Sequence, residues 1–107
     1  MISCEVPIVN ALGLHARAAA RFVHLAAGFR AAVRVSRLGR EMDGKSIMGL
    51  LLLTAAQGTS ITISADGPDE HEAVTTLCGL VERGFDEGPG ESAPRLSPRV
   101  SGDESCD

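Results

Sequence analysis

The sequence has no tryptophan and no tyrosine, and three phenylalanines are its entire aromatic content. Its core must therefore be aliphatic, and base stacking on aromatic platforms has almost nothing to work with. Cysteine is nearly as scarce. Cys4, Cys78 and Cys106 are widely spaced and form no C-x-x-C pair, which argues against a zinc site or a disulfide framework and for small buried thiols plus one thiol far along the chain. No spacing of histidines, cysteines and acids suits a metal, and no metal or other cofactor is expected. Positive charge is not in excess either: ten Lys and Arg stand against fourteen Asp and Glu, a net charge of −4. Attraction to nucleic acid or to an anionic membrane as a main function is thereby disfavoured. No apolar run approaches a membrane span, and the N-terminus has no basic region leading into a long apolar stretch, so neither insertion nor export is expected and the reading is a cytoplasmic protein.

What is present fits one domain. A chain of 107 residues, 44% hydrophobic, is long enough for a single core but marginal for two. Ile2, Cys4, Val6 and Ile8 alternate with polar residues as in a strand with one buried face, and Pro7, which has no N–H to donate, places that strand at an edge or a bulge. From Ala16 the period changes to that of a helix, with Ala19, Phe22, Val23 and Ala26 on one face, Arg17, Arg21 and His24 largely on the other, and Gly28 as a stop. Ala31, Val33 and Val35 mark a second strand, which turns through Leu38-Gly39-Arg40 into a short third one at Arg40 to Asp43. Ser46 stands where it would cap a short apolar helix from Ile47 to Leu53.

Ile61, Ile63 and Ala65 form the fourth strand, and Asp69 with Glu72 has the form of a capping box ahead of a helix with Ala73, Leu77, Leu80 and Val81 on one face. From about Gly88 the composition turns to Pro, Ser and Gly with scattered aliphatics, too little apolar surface to offset its ordering entropy; residues 88–107 read as a disordered tail and residues 1–87 as the domain. The order is β-α-β-β-α-β-α. Its economical packing is an α+β two-layer sandwich, a four-stranded antiparallel sheet with three helices on one face.

Two polar interruptions carry the chemistry. Gly13-Leu14-His15-Ala16-Arg17 places His15 at a helix start, where the first amides have no intrahelical acceptor and the helix dipole favours an anion. An imidazole able to attack phosphorus, beside the amides of Ala16, Arg17 and Ala18 and the Arg17 guanidinium, is a minimal phosphoryl-accepting site. The plainer alternative is a capping or surface histidine. Ser46 has the same two readings, a cap or a residue to be phosphorylated. Helix geometry cannot bury every residue from Ile47 to Leu53, and Met48 is the best candidate for exposure. His24 and His71 read as solvated helix residues.

On Gly13-Leu14-His15-Ala16-Arg17, on Gly44-Lys45-Ser46-Ile47-Met48-Gly49-Leu50, and on the order of elements over residues 1 to 87, the chain resembles the HPr family, the histidine-containing phosphocarriers of the bacterial phosphoenolpyruvate-dependent phosphotransferase system. The resemblance implies an open-faced sandwich in which His15 takes a phosphoryl group from enzyme I and passes it to an enzyme II A-type component, with Arg17 steadying the phosphate. It also implies regulatory phosphorylation of Ser46 by an HPr kinase/phosphorylase. Ile47, Met48 and Leu51 read either as core or, with Ala20, as an exposed patch for partner docking. A monomer is expected. In one place the sequence departs from the family: Ala18 replaces the proline that usually follows the arginine, at some cost in stability and with the gain of one amide donor. A regulatory binding module and the nitrogen branch of the same system are the competing readings. An autonomous enzyme is disfavoured, because no acid/base pair or nucleotide loop accompanies His15.

Overall fold

The computed structural model describes residues 1–86, and the segment read as a disordered tail, Cys106 included, lies outside the described residues. The elements are β1 (Ile2–Pro7), α1 (Ala16–Ala26), β2 (Ala32–Arg37), β3 (Arg40–Asp43), α2 (Ile47–Leu51), β4 (Ser60–Asp66) and α3 (Glu70–Glu82), followed by a 3₁₀ turn at Gly84–Asp86. The strands form one antiparallel sheet in the order β1-β4-β2-β3. β1 is an edge strand and Pro7 is its last residue, opposite Ser60, where a missing amide costs the ladder least. The β2–β3 hairpin turns through Leu38 and Gly39, both with positive φ (53° and 84°), the two-residue geometry that matches strand twist.

Alternation along the strands puts Val6, Val33, Val35, Ile61, Ile63 and Ala65 on one buried face, while Ser3, Glu5 and Arg34 lie on the other, away from the core. α3 lies over β1 and β4, α2 over β3, and α1 against both helices, so the second layer covers a single face of the sheet. α1 buries Ala18, Ala19, Phe22 and Ala26, with Val23 only half-buried. Small residues at 18 and 19 let this helix approach its neighbours closely. Phe22 and Phe85 are the largest side chains wholly inside, each worth about 1.5–3 kcal/mol of burial. Phe85 enters the core from a left-handed backbone position (φ 58°) in the 3₁₀ turn, and its carbonyl accepts from the Arg21 guanidinium at 2.6 Å.

Cys78, on α3, is buried, and Cys4, on β1, is half-buried; both are free thiols. Burial, reinforced by the neighbouring Cys4 thiol, pushes the Cys78 thiol up to about 12, so it stays protonated and unreactive at neutral pH.

The start of α3 departs from the capping box. Asp69 makes no side-chain cap bond to its own helix. Its carboxylate instead accepts from the amides of Arg30 (2.9 Å) and Ala31 (2.8 Å), tying the α1–β2 connection to α3. The acid that meets a preceding amide is Glu70, not Glu72: its carboxylate accepts from the Gly67 amide at 3.0 Å. These backbone donors hold both carboxylates below their ordinary range, with the Arg30 amide the largest cause for Asp69 and the Gly67 amide for Glu70. α2 is also shorter than read, ending at Leu51 with Leu52 as its C-cap, before the chain reverses through Thr54 at φ 48°.

Candidate functional site

The loop from β1 to α1 is fastened at several points before it delivers His15. Ile8 donates to the Thr59 carbonyl and accepts from the Gly58 amide (2.7 and 2.9 Å), and Leu14 donates to the Ala55 carbonyl at 2.8 Å. The buried Asn10 side chain donates to the Gly13 carbonyl at 2.8 Å. Gly13 itself has φ 67°, and a Cβ there would come within 2.5 Å of the Ala55 carbonyl oxygen. Only glycine permits this close approach without displacing backbone. Leu14 is then buried and His15 emerges half-exposed.

His15 is the N-cap of α1 in extended backbone (φ −90°, ψ −178°), and its Nδ1 accepts from the Arg17 amide at 3.3 Å. An accepting Nδ1 directs its lone pair toward the helix start. The helix forms its own first bond from the Ala19 amide to the His15 carbonyl, 2.8 Å. The first-turn amides of Ala16, Arg17 and Ala18 thus precede the intrahelical ladder. One of the three is engaged by the histidine ring itself. The Ala18 side chain is wholly buried, while Ala16, Arg17 and Ala20 are exposed. The first turn of α1 holds no acid, and among the described residues the Arg17 guanidinium has no ion pair.

The second helix start is built differently. Ser46 caps α2 with its Oγ accepting from the Gly49 amide at 3.1 Å, in extended backbone (φ −123°, ψ 116°). The preceding turn is held by Asp43, whose carboxylate accepts from the Lys45 amide (2.9 Å), and by the Lys45 ammonium, which donates to the Phe29 carbonyl (2.8 Å). α2 packs against α1, so the two helix starts belong to adjoining elements of one layer.

Of the expected docking residues, Met48 is 70% exposed, Ile47 is exposed, and Leu51 is half-buried against the core. His24 and His71 are exposed, as read. The sequence reading missed Leu52, which is 53% exposed, and Leu12, 72% exposed in the loop before His15. Leu52 was findable. It lies four residues after Met48 and so shares its helix face, opposite the buried Leu50. Nothing local distinguishes Leu12. Among the described residues, no group of three His, Cys, Asp or Glu side chains is placed to hold a metal, and no helix is long and apolar enough to cross a membrane.

Residues 2–83 match the family model described as the PTS HPr component phosphorylation site. The phosphocarrier protein HPr of Cupriavidus necator is 47% identical over 88 residues, 82% of this chain and 99% of that protein. The chain belongs to the HPr family of phosphotransferase-system phosphocarriers. Solved HPr structures share its fold: that of HPr-C-His from Thermoanaerobacter tengcongensis is 39% identical with a TM-score of 0.80, covering 83% of this chain and all of that one. The solution structure of Crh, the Bacillus subtilis catabolite repression HPr, is 38% identical with a TM-score of 0.58, covering 76% of this chain and 96% of that one. The HPr layout, four antiparallel strands in an open sheet with three helices, is the architecture that the strand and helix periods imply.

Proposed function

We propose that this chain, as a cytoplasmic monomer, accepts a phosphoryl group from enzyme I on Nδ1 of His15 and passes it to an enzyme II A-type component. One observation carries the assignment of the atom: Nδ1 is the ring nitrogen that faces the α1 amides. In the transfer, the Nδ1 lone pair forms the bond to phosphorus as the bond from phosphorus to the donor group breaks and its electron pair leaves with the donor. The Arg17 amide, released from Nδ1, is then free to meet a phosphoryl oxygen together with the amides of Ala16 and Ala18 and the Arg17 guanidinium. Each charge-assisted hydrogen bond supplies about 1.5–3 kcal/mol. A half-exposed site suits a carrier, which must release the group as readily as it receives it.

Partners reach this site over Ala20 on α1 and over Ile47, Met48 and Leu51 on α2, where a flexible methionine tolerates several different contact surfaces. Ser46 fits a regulatory role. An HPr kinase/phosphorylase would place two negative charges on the α2 start without unfolding it, and the added charge would oppose acidic partners at the adjoining His15 surface.

A two-step transfer assay tests the carrier role. Enzyme I and labelled phosphoenolpyruvate should label the wild type and Ser46→Ala but not His15→Ala, and the labelled protein should hand the group to an A-type acceptor. Acceptors of the sugar and nitrogen branches, supplied separately, assign the branch. An unlabelled wild type would refute the proposal.

A further inference from the structure

A groove of about 540 Å³ runs between α1 and α3, with Ala20, Leu25 and Leu80 along its apolar floor and Arg17, Arg21 and Arg83 at its rim. Its one acid, Asp86, is paired with Arg83 at 2.8 Å, and Arg21 spends one N–H on the Phe85 carbonyl. Arg17 is exposed and has no ion pair with any other described residue. The groove therefore keeps net positive charge over an apolar floor.

The described residues end at Asp86, in the wall of this groove. The segment 87–107 that follows has five acids (Glu87, Glu91, Asp103, Glu104, Asp107) against two arginines (Arg95, Arg99), and Leu96 and Val100 are its branched aliphatics. Residues 1–86 hold nine acids and eight Lys or Arg, so most of the net charge of −4 resides in 87–107. Reach is no obstacle, since 21 residues span up to about 70 Å and the longest extent of the described residues is 37 Å. Covalent attachment supplies the segment at about millimolar effective concentration, enough for weak contacts to fill the groove.

We propose that the acidic segment 87–107 docks intramolecularly in the α1–α3 groove and there competes with partners for Arg17 and Ala20. The docking stands on charge and tethering alone. The competition rests on the function proposed above.

The test uses the ¹⁵N-labelled full chain beside a variant carrying Glu87→Gln, Glu91→Gln, Asp103→Asn, Glu104→Gln and Asp107→Asn. At low salt the amide shifts of Ala20, His24, Leu25 and Leu80 should differ between the two proteins. The differences should not change on dilution, and they should collapse in ~1 M NaCl, where screening acts within about 3 Å. Differences confined to residues 84–86, lying on another face, or surviving high salt would overturn the docking, and differences lost on dilution would assign the groove to a second copy of the chain instead. In the transfer assay a groove filled about two-thirds of the time raises the apparent KM about threefold, so the variant should show that much lower a KM for phosphoryl receipt with kcat unchanged. An equal KM would overturn the competition. A wild type that is never phosphorylated would sink the carrier role and leave the docking result intact.

Discussion

At the start of α1 the capping group is an imidazole accepting from the second amide of the helix, and at the start of α2 it is a hydroxyl accepting from the third. Both caps sit in extended backbone, and both helices begin with no acid in the first turn. Their surroundings differ. α1 has eleven residues and an exposed guanidinium two residues after the cap, whereas α2 has five residues and the cation next to its cap, Lys45, is committed to the Phe29 carbonyl. A helix start thus supplies donors and a favourable field in either case, but the cap's own chemistry decides what can follow. An imidazole nitrogen can take phosphorus directly; a serine hydroxyl needs an enzyme to activate it.

The largest effect should come from removing what only the α1 start has. Arg17→Ala should slow phosphoryl receipt roughly 10- to 100-fold, the equivalent of one charge-assisted hydrogen bond. Arg17→Lys should recover part of it, and initial rates of labelling by enzyme I measure both. Next in size is a charge placed at the α2 start. Ser46→Asp should slow receipt about tenfold through KM more than kcat, because repulsion acts on docking. Ser46→Ala should leave transfer unaltered and cost about 1 kcal/mol in denaturant unfolding, the usual value of a lost cap. An effect of Ser46→Ala on transfer as large as that of Arg17→Ala would erase the distinction between the two starts.

Smaller again is Ala18→Pro. Fixing φ in the first turn of α1 should stabilise the fold by about 0.4–1 kcal/mol, while removal of the Ala18 amide shortens the lifetime of the phosphoryl group. Thermal melts and the decay of label separate the two consequences.

The smallest effect tests a third start, at α3. Asp69 is held below its ordinary value of 3.8, so its contribution to stability is fully present above that value and is lost as pH falls through the depressed one. Asp69→Asn should therefore lower Tm at neutral pH and flatten its fall below about pH 4.

How much of this was legible depended on how local each cause is. Period-two alternation marked Ile61, Ile63 and Ala65, and all three are buried, because a strand's register leaves no other face for them. Met48 was legible as exposed because a helix cannot bury a whole apolar run. Gly13 before His15, and the change of period between them, placed the histidine at a helix start. The rest is set by distant partners. No spacing rule could see that Asp69 would be drawn to the amides of Arg30 and Ala31, 39 and 38 residues away, and leave its own helix uncapped. Phe85 enters the core through contacts with α1 and α3 that its neighbours in sequence do not announce. Which nitrogen of His15 faces the helix is likewise a matter of rotamer, and only the structure distinguishes it.

Whether Nδ1 of His15 carries the phosphoryl group is read from the linkage and position of label after exposure to enzyme I and labelled phosphoenolpyruvate. A phosphorus–nitrogen bond hydrolyses in acid, whereas a serine phosphoester survives it. The expected result is one acid-labile phosphate, with the ³¹P signal coupled to the Nδ1 side of the His15 ring, present in Ser46→Ala and absent from a folded His15→Ala. Acid-stable label, label on Nε2, or label that persists in His15→Ala would contradict it.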